Sequence, residues 1–140
     1  MTAATHPAPA RHAVGLGALW FGLFGAPLAW SIQELAGYAL IAHACYPAWQ
    51  PRAALPAGGV WTLALAVSLT MLLVGLAGGF TAYRSWRRTR HEHASPEAHQ
   101  LEVGEDRARF MAISGIIVSA IFLFNLLMNA VTLFVVPACG

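Results

Sequence analysis

The residues whose types could carry chemistry are few: two cysteines, one acid inside an apolar run and a scatter of histidines. Cys45 and Cys139 each end a long apolar stretch, and His43 lies two residues before the first of them. Two thiols that end long apolar stretches at matching positions favour a disulfide wherever they meet an oxidising compartment, here closing over 93 intervening residues. Thiolate and imidazole also suit copper, so a metal site of His43, Cys45 and Cys139 is the alternative. One histidine and two cysteines make a thin ligand set, and the structural bridge is the preferred reading.

Glu34 is the polar group that most needs a partner. It lies 11 residues before Cys45, while Asn129 and Asn125 lie 10 and 14 residues before Cys139, so the three occur at similar depth. Helical spacing puts Asn125, Asn129 and Thr132 on one face of their segment and Ser31, Glu34 and Tyr38 on one face of theirs. An ionisable residue inside a membrane is a candidate proton-handling group, but a relay needs a chain of such groups. No second acid, Lys or Arg accompanies Glu34 inside its segment. The preferred expectation is therefore a buried polar cluster of Glu34, Asn125 and Asn129, with the acid neutral and hydrogen-bonded so as to fix helix register.

No P-loop, dinucleotide-binding glycine motif, H-E-x-x-H or nucleophile with an adjacent base occurs. A heme clamped within the chain would want histidines on two different spans, and the later two apolar segments contain none. His91, His93 and His99 cluster with Glu92 and Glu97, but neither spacing nor ligand set fits a structural zinc site. A solvated polar loop is expected there. The chain is read as non-catalytic, with no metal or cofactor bound by it alone and with lipid as a candidate ligand.

Positioning these residues falls to three long apolar segments. Hydrophobic residues make up 58% of the 140 residues and charged ones only 10%, against about 25% in soluble domains. The apolar segments cover about 14–44, 60–83 and 108–136, joined on one side by a polar loop at 84–107. About 20 helical residues cross a hydrocarbon core of roughly 30 Å, so each segment is long enough to span. Open backbone groups are not tolerated in lipid, and no strand-like alternation occurs. The expected fold is an all-α membrane protein, one domain of three transmembrane helices over residues 1–140.

All eight fixed positive charges are arginines. Arg84, Arg87, Arg88, Arg90, Arg107 and Arg109 flank or fill the second connection and Arg11 lies in the N-terminal tail, whereas the first connection holds Arg52 alone. The positive-inside rule then puts the N-terminus in the cytoplasm and the C-terminus on the outer face of the membrane. A net charge of +2 is too small for a nucleic-acid partner. The first apolar region exceeds the ~7 to 15 residues of a signal-peptide core, so it is expected to be retained.

Within the spans, Pro27 should kink the first helix, and Ser95 should cap a short loop helix that starts at Pro96 and ends at Gly104. Gly75 and Gly79 form a G-x-x-x-G on the second span, Ala18, Gly22 and Ala26 repeat at four on the first, and Gly115 pairs with Ser119 on the third. Small-residue ridges let helices approach closely in lipid. They serve either internal packing or docking onto a larger partner, with the Gly75 and Gly79 ridge as the expected contact.

The segments GLFGAPLAW, YALIAHAC at the end of the first span, AYRSWRR closing the second, RFMAISG opening the third and the terminal VVPAC resemble small three-span membrane proteins found with bacterial heme-copper cytochrome c oxidases. The resemblance covers nearly the whole chain after Val14. It implies association with a respiratory oxidase and paired outer cysteines at Cys45 and Cys139, and carries nothing over to Glu34. The function expected is that of a non-catalytic accessory subunit, held through helix faces against oxidase subunits and membrane lipid. An assembly or copper-delivery factor using the outer cysteines is the second expectation, and a small proton carrier using Glu34 the third.

Overall fold

The computed structural model describes residues 15–54, 59–90, 102–136 and Cys139. Among the described residues three helices, α1 (Leu16–Cys45), α2 (Val60–Arg90) and α3 (Glu102–Val135), follow one another, with a 3-10 turn at Pro47–Trp49 after α1. No strand occurs among the described residues. Each helix contains a stretch long and apolar enough to cross a membrane, at Leu16–Cys45, Val60–Arg88 and Ala108–Val135. Leu28, Ile32, Leu35, Leu73, Phe80, Ile117, Phe124 and Val131 all face outward, a belt far too apolar for water and suited to lipid.

Helix ends follow local chemistry. Gly15 enters α1 in an extended conformation with no side-chain cap. At the other end, Tyr46 N donates to Ala42 O at 2.9 Å and Arg52 N donates to Cys45 O at 2.8 Å, satisfying carbonyls that the helix itself leaves open. Helix α1 runs through Pro27 without a break, and Ser31 Oγ donates to Pro27 O at 3.0 Å one turn later. Helix α2 continues to Arg90, beyond the apolar run, because arginine is a good helix former. Gly104 does not end a helix as expected; it lies inside α3, where a glycine costs only about 1 kcal/mol relative to alanine. The expected cap at Ser95 and start at Pro96 lie outside the described residues, as do Arg11 and the His91, His93 and His99 cluster.

Small residues bring the three helices together. A Cβ placed on Gly22 would lie 3.1 Å from the Ala82 backbone, one on Gly115 3.0 Å from Gly22 O, and one on Gly25 3.2 Å from Gly78 Cα. Ala82, Ala112 and Ser119 are buried at this crossing, and Ser119 Oγ donates to Gly22 O at 3.3 Å. The expected docking ridge is likewise consumed inside the bundle: a Cβ on Gly75 would meet Leu126 Cδ1 at 2.8 Å, and one on Gly79 would meet Ser119 Cβ at 3.3 Å. Gly75 and Gly79 therefore receive α3 and are not open to a partner. The physical reason is general, since in lipid the tightest backbone approach is also the most favourable contact a small helix face can make.

Candidate functional site

Two polar features stand out from this apolar frame: a covalent staple at one end and a polar seam near the middle. The staple is a disulfide between Cys45 and Cys139, with their Cα atoms 5.4 Å apart and Cys45 buried. It ties the last residue of α1 to the chain just beyond α3. At the same end, Trp61 of α2 donates Nε1 to Leu133 O at 3.3 Å and packs edge-on against Phe134 with ring centroids 5.5 Å apart. All three helices are thus fastened to one another at this end.

His43 is exposed and lines a shallow apolar hollow with Ala39, Leu40 and Val60. Joined sulfurs are not thiolates, so the copper set of His43, Cys45 and Cys139 is not assembled in the oxidised chain. Among the described residues, no group of three His, Cys, Asp or Glu side chains is placed to hold a metal ion.

The polar seam lies between α1 and α3. Asn129 Nδ2 donates to Glu34 Oε1 in a short contact, joining residues 95 apart in sequence. Asn125 does not complete the cluster; its Nδ2 donates to Ile121 O of its own helix at 2.9 Å. Thr132 Oγ1 similarly turns back to Asn129 O at 2.7 Å. The expected burial of the cluster is also corrected: Glu34 and Asn125 are exposed on the flank of the bundle, beside an exposed Tyr38, and Asn129 is partly covered. The reason is rotational, because successive helical residues point about 100° apart and it is Gln33 that turns into the core.

Gln33, absent from the sequence reading, is only 4% exposed and donates Nε2 to Ser68 Oγ of α2 at 3.0 Å. Its Oε1 is buried with no partner. A signal for this pair was present. Gly22, Ala26, Ala29 and Gln33 follow one helical face, as do Ser68, Gly75, Gly79 and Ala82, so each small-residue ridge ends in a polar residue when extended by about two turns.

Fold and polar features together define a three-helix protein of membrane-spanning type, stapled at one end and carrying an outward-facing carboxyl group. Comparisons with protein-family models, curated proteins and solved structures return no match.

Proposed function

We propose that this chain is a non-catalytic accessory subunit of a respiratory membrane complex, a heme-copper cytochrome c oxidase, and that it docks through the lipid-facing α1 and α3 flank. It lies in the bacterial inner membrane with its N-terminus cytoplasmic and its C-terminus periplasmic, in keeping with the arginine distribution. The choice of an oxidase rests on the resemblance of its sequence segments. The observation that carries a docking role is the outward placement of Glu34.

Counting back from Cys45, Glu34 sits about 16 Å along α1, near the middle of a 30 Å hydrocarbon core. Polar groups at that depth are costly against lipid and normally face protein or water. Asn129 reaches one of the two carboxyl oxygens, and Asn125 stands one turn away on the same exposed flank. A partner helix laid along this seam and offering a hydrogen-bond donor would cover all three.

An affinity-tagged chain, isolated in mild detergent from its native membranes, tests this directly through the heme absorbance it brings with it. Wild type and Glu34→Gln should retain the oxidase, whereas Glu34→Leu should lose most of it while keeping the disulfide. Equal retention by Glu34→Leu would remove Glu34 from the interface. A turnover defect in Glu34→Gln with assembly normal would instead make Glu34 a proton-handling residue.

A further inference from the structure

We propose that the seam between α1 and α2, on the side away from α3, is a binding site for one anionic phospholipid. Its phosphate would be held by Arg84 and Arg88 and one acyl chain would lie along the helices. This reading needs only that the chain spans a membrane and is independent of which complex it joins.

The headgroup end is a hollow of about 360 Å³ lined by Gly15 at the entry to α1, by Ala18 of α1 and by Thr81, Arg84 and Arg88 of α2. Arg84 and Arg88 stand one turn apart on a single helix face and are both exposed, so two guanidinium groups front the same space. Arginine presents a planar fork of donors that matches phosphate oxygens two at a time. The start of α1 adds to this. Ala18 N and Leu19 N both return to Gly15 O, which leaves the amides of Leu16 and Gly17 outside the helix ladder. A Cβ on either Gly15 or Gly17 would meet nothing within 4 Å, so the backbone there is open to a ligand. A helix start also carries partial positive charge.

The acyl end is a groove of about 530 Å³, almost wholly apolar, running past Phe21, Leu28 and Ile32 of α1 and Met71 and Val74 of α2. Of the α2 residues that line the two hollows, Met71, Val74, Thr81, Arg84 and Arg88 advance by threes, fours and sevens and so share one helical face, with Phe80 and Ser85 beside them. On α1 the same holds for Ala18, Phe21, Leu28 and Ile32. Among the described residues none of α3 lines either hollow, which puts both on the same flank of the bundle. From Ala18 to Ile32 the helix rises about 21 Å, enough to accompany an acyl chain through a leaflet of about 15 Å. Charge selects the headgroup, and the groove accepts the chain. A zwitterionic lipid would bring a choline against the arginines and gain less.

The test uses the full chain in nanodiscs of phosphatidylcholine containing a minority of dioleoyl phosphatidylglycerol, with retained lipid counted by native mass spectrometry. Wild type should keep one phosphatidylglycerol per chain in preference to phosphatidylcholine. R84Q/R88Q should weaken that preference about thirtyfold, as two basic contacts near a lipid surface imply. R87Q, which changes an arginine outside the hollow, should retain it. Dihexanoyl phosphatidylglycerol, with the same headgroup but chains too short for the groove, should be retained severalfold less. Should inorganic phosphate displace the long-chain lipid completely at moderate concentration, the site would be a plain anion site and the acyl groove would be overturned. Equal retention of both lipids by wild type, or an equal loss in R87Q, would overturn the site. An intact disulfide and unchanged helical circular dichroism in the double variant exclude misfolding as the cause, and R84Q alone serves if those fail.

Discussion

Gln33 and Glu34 are neighbours in the chain and opposites in environment. Gln33 is bonded to Ser68 inside the bundle, while Glu34 is bonded to Asn129 on its flank. Interhelical hydrogen bonds in membranes average only about 0.6 kcal/mol and reach about 2 kcal/mol in model peptides. The stability consequence of each pair is therefore modest, and asymmetry matters more than the mean. Ser68→Ala leaves the Gln33 amide with neither donor nor acceptor engaged and should lower thermal stability in detergent by about 1 kcal/mol. Gln33→Leu combined with Ser68→Ala removes the orphaned oxygen as well and should recover wild-type stability or exceed it. A double variant no better than Ser68→Ala would show that the pair holds α1 against α2 by more than its hydrogen bond. Glu34 and Asn129 were legible as a pair because both could be counted back from the cysteines. Their exposure was not, since depth along a helix says nothing of rotation about its axis. Gln33 could have supplied the rotation, standing as it does on the same face as Gly22, Ala26 and Ala29.

At the scale of the helices, the contacts that matter are those where a side chain has no room. Gly78 lies against the α1 backbone, with a Cβ there 3.3 Å from both Ala26 N and Gly25 Cα. Backbone atoms cannot step aside as a flexible side chain can, so Gly78→Val should separate α1 from α2 at a cost of about 1 to 3 kcal/mol. Gly37, also on a membrane-spanning helix but with open space around it, provides the contrast. Gly37→Ala should leave the melting temperature unchanged or raise it slightly through helix propensity. If both variants behave alike, close packing at the glycine seam is not what holds the bundle. Hydropathy and charge delimited the three helices to within a few residues on the apolar side. The polar ends were less legible: α2 runs on through Arg84, Arg87, Arg88 and Arg90, and α3 begins at Glu102 and passes through Gly104. The ridge of Gly75 and Gly79 was visible too, yet periodicity identifies a face without naming what lies against it. Here α3 does.

For the whole molecule, covalent and lateral contacts divide the two ends. The Cys45 to Cys139 bridge closes a long loop, and chain-entropy reasoning gives such bridges about 2 to 4 kcal/mol. Cys45→Ser with Cys139→Ser should lower the unfolding midpoint accordingly, and intact mass after alkylation without reductant should show no modified cysteine in wild type. Two alkylated cysteines in freshly isolated membranes would return the pair to the thiolate state and with it the copper reading of His43, Cys45 and Cys139. The opposite end carries Arg84 and Arg88, where lipid and not a covalent bond is proposed to fill the seam. Between them lies Glu34, the carboxyl group whose outward placement motivates a protein partner.

That partnership is open to one decisive measurement: gentle solubilisation of native membranes, separation of intact complexes, and quantification of this chain against heme-copper oxidase in each fraction. As an accessory subunit the chain should co-migrate with mature, copper-loaded oxidase in constant proportion across independent preparations. Migration on its own, or only with oxidase that still lacks its copper, would contradict that role and leave a free carrier or an assembly factor in its place.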